Sequence, residues 1–67
     1  MTKYTIGFEG TVTEEEARRV LEGYCTILRL FRDFGTLIAK VETDNPTRLE
    51  TRLENSPAVE QYMEGGA

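Results

Sequence analysis

Apolar residues near the start of the chain alternate with polar or small ones. Tyr4, Ile6 and Phe8 point one way, and Thr5, Gly7 and Glu9 point the other. A period of two carried by aromatic and β-branched side chains predicts a strand over Lys3–Glu9 with one buried face, ended by Gly10. The period then lengthens: Ala17, Val20, Leu21 and Tyr24 recur at the spacing that lines up one stripe of a helix. Thr13 and Glu16 mark its start as a capping box, in which the hydroxyl accepts from a free amide and the carboxylate reaches back. Glu14, Glu15 and Glu16 fill the first turn, where the helix dipole favours negative charge, and Gly23 suits a left-handed cap at the far end.

From Cys25 to Glu42 the pattern returns to two β-rich runs around a break at Asp33-Phe34-Gly35, the residue types of a tight hairpin. In the second run, Thr36 to Glu42, Leu37, Ala39 and Val41 share one face and Ile38 and Lys40 the other. The first run has two registers. One face would carry Cys25, Ile27, Arg29 and Phe31; the other would carry Thr26, Leu28, Leu30 and Arg32. Both are partly apolar, so alternation alone leaves open which is inside.

Asn45 and Pro46 announce a second helix, with the asparagine as N-cap and the proline at the first helical position, where its missing amide hydrogen does no harm. Leu49 and Leu53 form its apolar stripe. Asn55-Ser56-Pro57 ends it, because the residue before a proline is pushed out of the helical region. Ala58 to Glu64 then reads as a short strand, with Val59 and either Gln61 or Tyr62 near the core. The order β-α-β-β-α-β predicts an α+β domain of ferredoxin-like type, a four-stranded antiparallel sheet with two helices on one face. That single domain spans residues 1–64, and Gly65, Gly66 and Ala67 form a flexible tail. The other sheet face is left uncovered.

Size and charge narrow the uses of such a fold. A chain of 67 residues buries only about 60% of the surface its unfolded form exposes, so its core is thin. Its one cysteine, Cys25, cannot form an internal disulfide, and without histidine no zinc site of ordinary type can staple it. Stability then rests on packing, helped by a partner or a second copy. Twelve acidic residues against eight basic ones give a net charge of −4, the wrong sign for neutralising phosphates, so no nucleic-acid partner is expected. The start, Met1-Thr2-Lys3-Tyr4, enters a strand directly, with no apolar run for a signal peptide or membrane span. The expectation is a cytoplasmic protein as given, or a secreted one if excised from a precursor.

The inventory for catalysis is poor. There is no histidine base, Cys25 sits in a strand pattern without a partner, and no glycine-rich phosphate loop is present. Glu14 with Arg18 and Glu15 with Arg19 are helical i,i+4 pairs, which belong to helix design. Aromatics beside basic residues, which RNA binding through a sheet needs, do not occupy the open side of the first strand, where Thr5, Gly7 and Glu9 lie. The expectation is a binding protein with no enzymatic activity, no cofactor and no metal.

Several of these pieces, in this order, resemble the propeptide family of subtilisin-like serine proteases, which includes free-standing inhibitors. The opening strand Tyr4-Thr5-Ile6-Gly7-Phe8, the capped acidic start Val12-Thr13-Glu14-Glu15-Glu16 and the run Leu37-Ile38-Ala39-Lys40-Val41 are similar to family segments. So are Leu49, Leu53, Pro57-Ala58-Val59 and Glu64, and the similarity spans nearly the whole chain. The resemblance implies a protein inhibitor or folding chaperone that docks its open sheet face on a subtilisin-like protease, with strand-end carboxylates capping helices of the protease. It implies that the C-terminal tail lies in the substrate cleft. It also implies that Ile27 and Phe31 face inward, leaving Leu28, Leu30 and Ile38 as an apolar patch on the open face; in the alternative register Leu28 and Leu30 face inward. The partner-binding residues expected are therefore Leu28, Leu30, Ile38, Glu64, Gly65, Gly66 and Ala67. The chain departs from the family at Met63-Glu64-Gly65, where members carry two or three acidic residues, so Glu64 alone stands for the capping carboxylates. A different expectation is a non-inhibitory module, a homodimer or a small phage- or microbe-encoded regulator, that uses the same face.

Overall fold

The computed structural model describes residues 1–65 of the chain. Its elements run β1 (Thr2–Phe8), α1 (Glu14–Leu21), β2 (Thr26–Asp33), β3 (Thr36–Thr43), α2 (Pro46–Glu54) and β4 (Val59–Glu64). The four strands form one antiparallel sheet in the order β2-β3-β1-β4.

The predicted caps are in place. Thr13 Oγ1 accepts from the Glu16 amide at 3.2 Å, and Glu16 Oε1 accepts from the Thr13 amide at 3.1 Å. Asn45 Oδ1 accepts from the Arg48 amide at 3.2 Å, with Pro46 opening α2. Gly23 takes φ +81 just past the end of α1, a left-handed conformation that a Cβ would strain.

Both helices pack on one side of the sheet. Ala17 and Leu21 of α1 and Leu49 and Leu53 of α2 join Tyr4, Ile6, Phe8, Leu37, Ala39 and Val41 in a single buried cluster. Two arginines tie the helices together at the C-terminal end of α1, where backbone carbonyls lack intrahelical partners. Arg52 Nε donates to Val20 O at 3.0 Å and Arg48 Nη1 to Gly23 O at 2.6 Å. Their guanidinium groups also lie over the ring of Tyr24, 5.1 and 4.1 Å from its centroid. Beneath them Thr43, buried at the end of β3, donates to Tyr24 O and accepts from the Asn45 amide, each at 3.1 Å.

Both edge strands depart from simple alternation. In β2 the register against β3 shifts between Ile27 and Arg29: Ile27 lies opposite Val41, Arg29 opposite Lys40 and Leu30 opposite Ala39. Leu28 is the extra residue of a β-bulge. The two inward positions, Ile27 and Leu30, are thus three apart, and both pack against the core. This corrects the expected register in half: Ile27 is inward, but Phe31, opposite Ile38, is on the uncovered side, and Leu30 is not. The physical reason is that a bulge inserts one unpaired residue and exchanges the faces of everything after it. A second shift, between Gly7 and Phe8 on β1, leaves Glu60 unpaired in β4. It brings Val59 and Tyr62 together on the core side, with Gln61 on the other.

Candidate protein-binding face

The side of the sheet away from the helices is assembled by cross-strand register. One row reads Phe31, Ile38, Gly7, Gln61 from edge to edge; the next reads Arg29, Lys40, Thr5, Met63. Among the described residues no element packs over these rows. Gly7 contributes no side chain in the middle of the first row, and the sheet dips there. The result is a shallow depression of about 160 Å³ lined by Thr5, Gly7, Thr36, Ile38, Gln61 and Met63. A Cβ at Gly7 would stand 3.4 Å from Gln61 Cγ, in ordinary contact, so a side chain would fill the dip without forcing the backbone.

Apolar and cationic groups share this surface. The Arg29 guanidinium lies over the Phe31 ring, 4.4 Å from its centroid. Met63 is 63% exposed. Arg29 and Lys40 stand directly opposite each other on neighbouring strands. At the sheet end, Asp33 and Thr36 are the last pair of the β2–β3 hairpin, so Phe34 and Gly35 form its two-residue loop. Phe34 has φ +50 and Gly35 φ +80, the backbone signs of a type I′ turn. The Phe34 side chain is fully exposed, at 102%.

The expected binding residues divide. Ile38 lies at the centre of the open face, half-buried between Phe31 and Gly7. Leu28, in the bulge on the outer strand, is 49% exposed. Leu30 is removed from the set, since it packs against the core. Glu64 is exposed but pairs with Tyr4, a residue whose side chain is in the core, so it sits on the helix-covered side. The Gly65 amide donates to Lys3 O at 2.6 Å, and its carbonyl accepts from Thr5 Oγ1 at 3.3 Å. Gly66 and Ala67 lie outside the described residues.

Phe31, Met63 and Phe34 were not among the expected residues. The signal for Phe31 was present as Ile27-x-x-Leu30, an apolar pair at odd spacing that only a bulge reconciles with one buried face. Phe34 in an Asp-Phe-Gly turn signal could have been noticed as the one bulky residue where a type I′ turn favours asparagine or glycine.

The titratable groups on the helix side have structural roles. The Tyr4 hydroxyl donates to Glu50 Oε2; burial, that hydrogen bond and the Glu50 charge raise its pKa far above the ordinary phenol range. Tyr62 donates to Glu54 Oε2 at 2.5 Å, and this bond is the main cause of its pKa being pushed up to about 12. Burial pushes the Cys25 thiol up to about 11, which keeps it protonated and a poor nucleophile at neutral pH. Among the described residues no group of three or more His, Cys, Asp or Glu side chains is placed to hold a metal ion, and no helix is long and apolar enough to cross a membrane. Compared with known proteins, the chain matches no family model, no curated protein and no solved structure.

Proposed function

We propose that this chain is a protein-binding module that docks its uncovered sheet face on a partner, and that it acts on subtilisin-like serine proteases as an inhibitor or folding chaperone. The observation that carries the binding role is the open face itself, where Ile38 and Met63 line the dip at Gly7 and Phe31 stands beside Ile38, with nothing among the described residues over them. Apolar side chains grouped on an uncovered face mark interaction surfaces. The chain path supports a ferredoxin-like assignment: from the β4 edge the strands read 4-1-3-2, with each helix crossing from one strand pair to the other. The similarity of the strand, cap and Pro57-Ala58-Val59 segments to protease propeptides supports the choice of partner.

The reading is tested by titrating the chain into several subtilisin-like proteases and following peptide hydrolysis. Slow, tight inhibition that is lost on Ile38→Asp is expected. No inhibition at micromolar concentration by a folded chain would refute the protease as partner.

One observation favours a second reading, a module that binds through the same face without inhibiting. Glu64, the one carboxylate available to cap a protease helix, lies across from Tyr4 on the helix-covered side. In that case size-exclusion chromatography detects a complex while hydrolysis proceeds unchanged.

A further inference from the structure

The hairpin tip presents a knob, and the open face presents a hole. Phe34 occupies a left-handed backbone conformation, φ +50, that crowds the Cβ of any residue but glycine and is relieved in type I′ turns by asparagine or glycine. Its ring gains nothing from the fold in return, since it is wholly exposed. A bulky apolar residue held in a strained turn and touching nothing in its own chain is a local rule broken without compensation inside the monomer, and such departures collect at functional positions.

The depression at Gly7 is of the right size and character for that ring. Its volume is about 160 Å³, and an apolar cavity of about 150 Å³ accommodates benzene. Ile38 and Met63 give it apolar walls, and the missing Gly7 side chain gives it depth. Phe34, at the tip of its own hairpin, does not contact the dip in its own sheet. A second molecule brings a ring to it.

We propose that two copies of this chain associate through their open faces about a two-fold axis, the Phe34 ring of each seated in the Gly7 depression of the other. Such an isologous contact uses each knob and each hole once and closes at two subunits. Charge supports the same occupant. Asp33 precedes Phe34 and travels with it, and the row beside the depression holds Arg29 and Lys40, two cations set directly against each other. The Asp33 carboxylate of one copy then arrives, with its ring, beside the Arg29 guanidinium of the other, a contact of opposite charges. The face itself is mixed in charge, since Lys3 stands opposite Glu42 and Asp33 shares the side of Arg29 and Lys40. Pairing the open faces leaves the helices of each copy outward. The inference stands without the protease: the chain alone suffices to observe it, and the same surface cannot serve both associations at once.

The experiment is sedimentation equilibrium of the purified chain from about 10 μM to about 1 mM, beside the variants Phe34→Asn and Gly7→Val. The wild type should be a monomer–dimer mixture, and each variant should raise the dimer dissociation constant at least about thirtyfold, the loss typical of a hot-spot residue. Phe34→Asn should also raise the Tm of the monomer, by about 4–8 °C for a domain of this size, because it releases the strained turn. A variant that weakened association merely by unfolding would show the opposite change. A wild type that stays monomeric at the highest concentration, or a dimer that survives either substitution, overturns the proposal.

Discussion

The guanidinium of Arg29 lies over the ring of Phe31, 4.4 Å from its centroid, on the side of the sheet that the helices leave uncovered. The two can stack because they are two residues apart after the bulge at Leu28, and so share a face. Without the bulge the same residues would turn to the helix-covered side of the sheet. The bulge therefore does two things. It keeps Arg29 off the helix-covered side, and it delivers an aromatic ring to the outer edge of the proposed binding surface.

This assignment of faces makes opposite predictions for two neighbouring leucines. Leu30→Asp puts a carboxylate at a partly buried position against Ala39 and the core and should cost about 2 kcal/mol. Leu28→Asp, in the exposed bulge, should change stability by no more than about 0.5 kcal/mol. Urea denaturation of both variants decides the matter; equal losses would mean that the bulge lies elsewhere.

The arginine bridge between the helices gives a second prediction. Arg52→Ala removes the hydrogen bond to Val20 O and one cation over Tyr24, and should lower stability by about 1–2 kcal/mol. Arg52→Lys keeps the charge but loses the planar fork, and should recover only part of that. Thermal unfolding followed by circular dichroism provides the measurement, and an unchanged Tm for Arg52→Ala would remove the bridge from the account.

How far the fold could be read from the residues depended on whether an element keeps one period. Strand β1, strand β3 and both helices do, and their caps are local: Thr13 with Glu16 and Asn45 with Pro46 are complete within four residues of chain. The edge strands do not. Ile27 with Leu30 and Val59 with Tyr62 are inward pairs at a spacing of three, which neither a period of two nor a helical period describes. An edge strand has a free side, so an unpaired residue costs it only one row of the ladder. Of the expected binding surface, Ile38 was legible because β3 alternates strictly. Leu30 was misplaced and Phe31 missed because both follow a bulge. Nothing in the alternation of β1 indicated that Gly7 would open a dip, since that depends on its cross-strand neighbours Ile38 and Gln61.

Acid should loosen the start of α1. The backbone and side-chain hydrogen bonds from Thr13 hold the Glu16 carboxyl below the ordinary carboxylate range. A group whose pKa is lower in the folded than in the unfolded chain stabilises the fold fully above its unfolded value, and that contribution is lost as pH falls through its folded value. The Tm should therefore decline on acidification below the normal glutamate range, and more shallowly in Glu16→Gln than in the wild type. Identical pH profiles would show that the carboxylate contributes nothing as a charge.

The central claim is that the uncovered face, and no other surface, meets the partner. Backbone amide chemical-shift mapping of the isotope-labelled chain, titrated with an inactivated subtilisin-like protease, tests it most directly. The account predicts that the largest changes fall on Gly7, Phe31, Ile38 and Met63, with the amides of α1 and α2 little moved. Changes confined to the helices, or no change at saturating protease, would contradict it.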